Sequence, residues 1–130
     1  MRSSLYSKLA LAVLASLPVA ALAHHSFAVF FDGSKNITLT GVVTEFKFVN
    51  PHGLIVLQVK NKDGAMEEWK VETNSPSILR RRGWAPDSLT AGETITVDGW
   101  PGRNDTHYAR LRAAKRANGE PIGKPMGTED

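Results

Sequence analysis

The chain of 130 residues contains no cysteine, so neither a disulfide nor a thiolate-held metal is available and stability must come from packing. Neither sign of charge dominates: 16 Lys and Arg stand against 13 Asp and Glu. Aromatic side chains make up only 8% of the residues, so at least two of Trp69, Trp84 and Trp100 are expected in the core. The motifs of common catalytic sites are missing as well. There is no Gly-x-Ser-x-Gly elbow, no His-Glu-x-x-His helix and no phosphate-binding glycine loop. Glu67 and Glu68 pair only in sequence, because neighbouring strand residues point to opposite faces. These absences favour a binding function over an enzymatic one. Any metal would have to be held by nitrogen or oxygen.

Long apolar runs are confined to one, near the start. Arg2 and Lys8 precede an apolar segment over 9–17, and Ala21-Leu22-Ala23 has the small-x-small pattern of a secretory cleavage site. The run is interrupted by Ser16 and Pro18 and is short for a bilayer span, which predicts a cleaved signal peptide over 1–23 and no membrane association afterwards. Cleavage there leaves a mature chain of 24–130 that starts at His24 and is periplasmic. Arg2 and Lys8 go with the leader, leaving fourteen basic residues against thirteen acidic ones, a net charge of +1. A nucleic-acid binder is expected to carry a strong positive field, so the expectation is no nucleic-acid partner.

The segment 37–59, ITLTGVVTEFKFVNPHGLIVLQV, organises the rest. Apolar and polar residues alternate from Ile37, and LIVLQV from Leu54 is apolar and β-branched, which predicts two strands. Asn50-Pro51-His52-Gly53 supplies the turn between them. The alternation slips between Gly41 and Glu45, which predicts a bend at Gly41 and a first strand long enough to serve a small closed barrel.

Before this hairpin, residues 24–34 form an arm that Phe27, Phe30 and Phe31 pin to the barrel. After it, Asn61-Lys62-Asp63-Gly64 predicts a turn and 67–73 a third strand with Trp69 and Val71 inward. Ser75 as cap, Pro76 at the first helical position, Arg80 to Arg82 at the dipole's negative end and Gly83 as terminator make a short helix. The arginine run is expected to be a solvated helix end and not an anion site. Strands over 94–100 and 108–115 follow, then a turn at Asn118-Gly119 and a flexible tail over 124–130. The predicted fold is all-β with one short helix, a five-stranded OB-like Greek-key barrel of order β-β-β-α-β-β occupying 35–123.

Several pieces resemble a family of small exported bacterial proteins of unknown function whose mature chains open with His-His-Ser-Phe. They are His24-His25-Ser26-Phe27, Leu39-Thr40-Gly41-Val42-Val43, Asn50-Pro51-His52, Trp69 with Val71-Glu72, Ser75-Pro76, Leu79 with Arg81-Arg82-Gly83-Trp84, and Gly92 with Val97 and Gly99. The resemblance runs through most of the mature chain and implies an exported OB-like domain, with no activity attached. A weaker likeness is to periplasmic OB-fold copper chaperones, which bind the metal with methionine thioethers and a tryptophan. Here the mature methionines are only Met66, in a turn, and Met126, in the tail, which speaks against thioether ligation of Cu(I).

The residues themselves offer nitrogen ligation. A free amine on His24 with its own imidazole makes a chelate ring, and His25 adds a second imidazole. Such a donor set suits Cu(II) or a similar divalent metal. His52 is the candidate third ligand, with copper the expected cofactor, and His107 ranks behind it. The bland alternatives are histidines solvated after cleavage and a His52 that merely fixes its turn. The runner-up function is a metal-free adaptor holding a peptide, glycan or envelope protein, with Asn50, Trp69 and Trp84 as candidate ligand-binding residues.

Overall fold

The computed structural model describes residues 27–104, 107–128 and 130. Its strands lie where the apolar alternation places them: β1 Ile37–Lys47, β2 Leu54–Lys60, β3 Met66–Glu72, β4 Thr94–Pro101 and β5 Tyr108–Arg116, with the helix α1 Pro76–Arg81 between β3 and β4. They close into a barrel of order β1-β2-β3-β5-β4. Strand β1 makes closure possible because it is shared. Its first half, from Ile37, pairs with β4, and its second half, to Lys47, pairs with β2. Every pairing is antiparallel except that of β3 with β5, which is parallel and joins Lys70 to Tyr108 and Glu72 to Arg110. This is the OB-like barrel that the element order predicts.

The slip in β1 lies between Val43 and Glu45, inside the expected interval from Gly41 to Glu45, but the bend is not at Gly41 itself. Gly41 pairs regularly with Val59 on one side and Ile95 on the other. Beyond it, Val43 bonds to the turn before β4, donating to Glu93 O at 2.8 Å and accepting from Gly92 N at 2.8 Å.

The core is built from Leu39 and Val43 of β1, Ile55 and Leu57 of β2, Val71 of β3, Ile95 and Val97 of β4 and Leu111 of β5, with Leu79 of α1 and Trp84 added from the connection. Of the tryptophans, Trp84 and Trp100 are buried, and Trp69 is half-buried against the core. Helix α1 begins with Pro76 at its first turn and ends before Gly83, at φ 85. Ser75 makes no side-chain cap; its hydroxyl is 2.9 Å from that of Ser77 instead. Two of the three arginines at the helix end are engaged and not simply solvated. Arg80 lies over the Phe48 ring at 5.1 Å, and Arg82 bonds the Asp130 carboxylate at 2.6 Å.

That second contact corrects the expected flexible tail. Met126 is buried in the core, its N–H donates to Arg112 O at 2.7 Å, and Lys124 N donates to Arg82 O at 2.7 Å. The N-terminal arm is also docked. Residues 27–30 make one helical turn, and Phe31 is buried and bridges to Gly102. Phe27 meets Trp100 edge-on at 5.4 Å, whereas Phe30 points outward and pins nothing. Among the described residues no helix is long and apolar enough to cross a membrane.

Candidate functional site

The turn between β1 and β2 delivers His52 to the end of β3. Gly53 makes this possible: a Cβ there would lie 2.5 Å from both Lys47 O and Thr73 Oγ1, so any side chain would push the turn away. Backbone bonds then tie the turn down, Thr73 N to Gly53 O at 2.9 Å and Gly53 N to Asn74 O at 3.3 Å. As a result His52 Nδ1 sits 2.7 Å from Glu72 Oε1 while the imidazole remains about half exposed.

Glu72 is itself held from two more sides. The parallel register sets Arg110 beside it, and Arg110 Nη1 donates to Oε1 at 2.5 Å. Two residues earlier on β5, the Tyr108 hydroxyl donates to Oε2 at 2.5 Å. Arg110 is 8% exposed; burial lowers its guanidinium from the ordinary value, and Glu72 offsets part of that. A neutral His52 donates its Nδ1 proton to Glu72 and keeps the Nε2 lone pair for another partner.

His107 makes a separate pair. Its Nε2 is 3.2 Å from Glu67 Oε2 and its ring is 5.1 Å from Trp69. The Glu67 carboxyl lies below the ordinary carboxylate range, chiefly because Asn61 Nδ2 donates to it at 2.7 Å. Glu67 and Glu72 are separated by five positions on one strand, about 16 Å, and so face opposite sides. His107 therefore does not converge on His52. Among the described residues no group of three or more His, Asp or Glu is arranged to hold a metal ion.

His24 and His25, with the predicted signal peptide over 1–23, lie outside the described residues. The candidates of the adaptor reading are dispersed. Asn50 is exposed in the turn, joined to Pro51 by a cis peptide. Trp69 shows part of its surface beside His107. Trp84 is 2% exposed, enclosed by Phe46 and pressed by Gly123, so it offers no ring face to a ligand. The sequence motif Asn50-Pro51-His52 located the turn, whereas Glu72, Tyr108 and Arg110 carry no local signal of their role.

A family model described as a family of unknown function (DUF6152) matches residues 11–110. No curated protein matches the chain. Solved structures do. The mitochondrial single-stranded DNA binding protein Rim1 of S. cerevisiae is 9% identical, with a TM-score of 0.47 over 64% of this chain and 93% of its own. The small single-stranded DNA-binding protein of Streptomyces coelicolor is 17% identical, with a TM-score of 0.40 over 63% and 90%. A ZRD-deleted mutant of TiaS in complex with agmatine is 17% identical, with a TM-score of 0.46 over 72% of this chain but 25% of that one. The OB-like assignment rests on the barrel's own strand order. The expected exclusion of nucleic acid is withdrawn: single-stranded DNA-binding proteins are among the matched structures, and a net charge near zero over a whole chain does not exclude a local basic face.

Proposed function

The chain belongs to this family of unknown function (DUF6152), and from its own residues we propose that it is an exported, periplasmic protein that binds Cu(II) or a similar divalent metal through His24, His25 and His52. The observation that carries the reading is the 2.7 Å contact of His52 Nδ1 with Glu72. Metal-ligating histidines commonly donate their second nitrogen to a carboxylate, which fixes the tautomer and raises the basicity of the ligating atom. Here that carboxylate is fixed in turn by Arg110 and Tyr108, and the imidazole it orients is half exposed at the surface. The arm that carries His24 and His25 supports the same reading, because its Phe31 stacks on Tyr108 of this network. The N-terminal amine and the imidazoles would ligate as neutral donors, so affinity falls as the pH drops from about 8 to about 5.

Calorimetric titration of Cu(II) into protein beginning at His24, and into the same protein with one added N-terminal Gly, tests this. The Gly retains every imidazole but moves the amine off the His24 chelate ring. Weaker binding with a changed visible spectrum is expected; identical affinity and spectrum in the two proteins would refute an N-terminal site. The adaptor reading draws on Val29 and Phe30, both more than half exposed on the docked arm. It requires capture of an envelope component that persists in the presence of chelator.

A further inference from the structure

Glu72 receives three donors, from two separate parts of the chain, the β1–β2 turn and β5. His52 Nδ1 and Arg110 Nη1 both meet Oε1, and the Tyr108 hydroxyl meets Oε2. The Tyr108 ring belongs also to the arm's docking surface: it lies 5.7 Å from the Phe31 ring and within 14° of parallel to it. Phe31 is 3% exposed, held further by Phe27 at 5.5 Å and by Asp32 N donating to Pro101 O at 2.9 Å. The final torsion of a glutamate is broad and nearly two-fold, so a carboxylate held at one oxygen alone can still swing.

We infer that Tyr108 is a positioning residue for His52. Phe31 packs on its ring and sets the hydroxyl against Glu72 Oε2. With that oxygen engaged, Oε1 stays facing the turn, Nδ1 keeps its proton and donates it to Oε1, and Nε2 is presented outward. The arm and the β1–β2 turn are thereby coupled through four side chains, Phe31, Tyr108, Glu72 and His52. What Nε2 is presented to rests on the metal-binding reading, whereas the positioning is a property of the metal-free protein. Coupling of this kind is reciprocal, so a ligand taken up at His52 also tightens the arm.

The experiment reads the tautomer directly. Nitrogen NMR of metal-free protein labelled with 15N-histidine, at about pH 8, reports which imidazole nitrogen carries the proton, with His52 assigned from the His52→Gln spectrum. The wild type is expected to show His52 protonated at Nδ1. Tyr108→Phe retains the ring against Phe31 and removes only the hydroxyl, while Phe31→Ala retains the hydroxyl and removes the packing. Each should move His52 to a mixture of tautomers and weaken Cu(II) binding severalfold. If Phe31→Ala does not fold, Phe31→Leu keeps the bulk without the stacked ring and gives the same readout. An unchanged His52 tautomer in Tyr108→Phe and the folded Phe31 variant overturns the inference. A wild type that takes up no copper while its tautomer responds to the two substitutions refutes the metal-binding reading and leaves the positioning intact.

Discussion

Gly41 lies so close to Gln58 that a Cβ on it would come within 2.6 Å of the Gln58 carbonyl oxygen, and within 2.9 Å of Val59 Cγ2. This is where β1 changes partners, pairing with β2 and β4 at once. The glycine is required by proximity and not by an unusual backbone angle. Gly41→Val should therefore destabilise the barrel by about 2 kcal/mol or more, through overpacking that β2 relieves only by moving. In a domain of this size that lowers the melting temperature by roughly 10 °C. A melting curve matching the wild type would show that the strands do not approach so closely.

Met126 sits in the core with 5% of its surface exposed, between a bond from its own N–H to Arg112 O and the Arg82–Asp130 ion pair. Met126→Ala should cost about 2 to 3 kcal/mol in denaturant unfolding, as for other buried methionines. A loss below about 0.5 kcal/mol, typical of surface positions, would mean that the C-terminal segment does not pack in solution.

The strands, the helix and the turns were legible because their signals are local: alternation, Pro76 at a helix start, Gly83 at its end. The misplacements have one cause in common. A glycine in a strand reads the same whether it bends the chain or admits a neighbour, and only the ladder shows that the bulge lies beyond Gly41, between Val43 and Glu45. Met126 is an isolated apolar residue in a polar, glycine-containing end, and its burial depends on a groove assembled from β5 and the segment after α1. The same holds for the site. His52 stood out as an imidazole in a tight turn, but Glu72, Tyr108 and Arg110 are brought together by the parallel β3/β5 pairing across more than thirty residues of chain. No local pattern announces a contact of that kind.

Asp32 closes the arm. Its carboxylate accepts from the Ser34 hydroxyl at 2.6 Å and from Ser34 N at 3.1 Å, and it pairs with Lys35 at 3.2 Å. The Ser34 bonds, first that from the hydroxyl, pull its pKa from the ordinary 3.8 to about 2. A carboxyl whose pKa is lower folded than unfolded adds stability above the unfolded value and loses it as the pH falls to the folded one. The wild type should thus be more stable than Asp32→Asn above about pH 5, with the difference shrinking from about pH 4 and gone near pH 2. Urea unfolding of both proteins across that range measures it. A difference independent of pH would remove the carboxylate from the explanation.

Electron paramagnetic resonance of one equivalent of Cu(II) on protein that begins at His24, with 15N-histidine incorporated, examines the metal centre itself. Wild type should show imidazole nitrogens from both the arm and the turn around a single copper ion. His52→Ala should lose one of these nitrogens and bind roughly tenfold more weakly, a change of about 1.4 kcal/mol. Identical spectra and affinities for wild type and His52→Ala would contradict a copper centre that spans the N-terminus and the Glu72-held histidine.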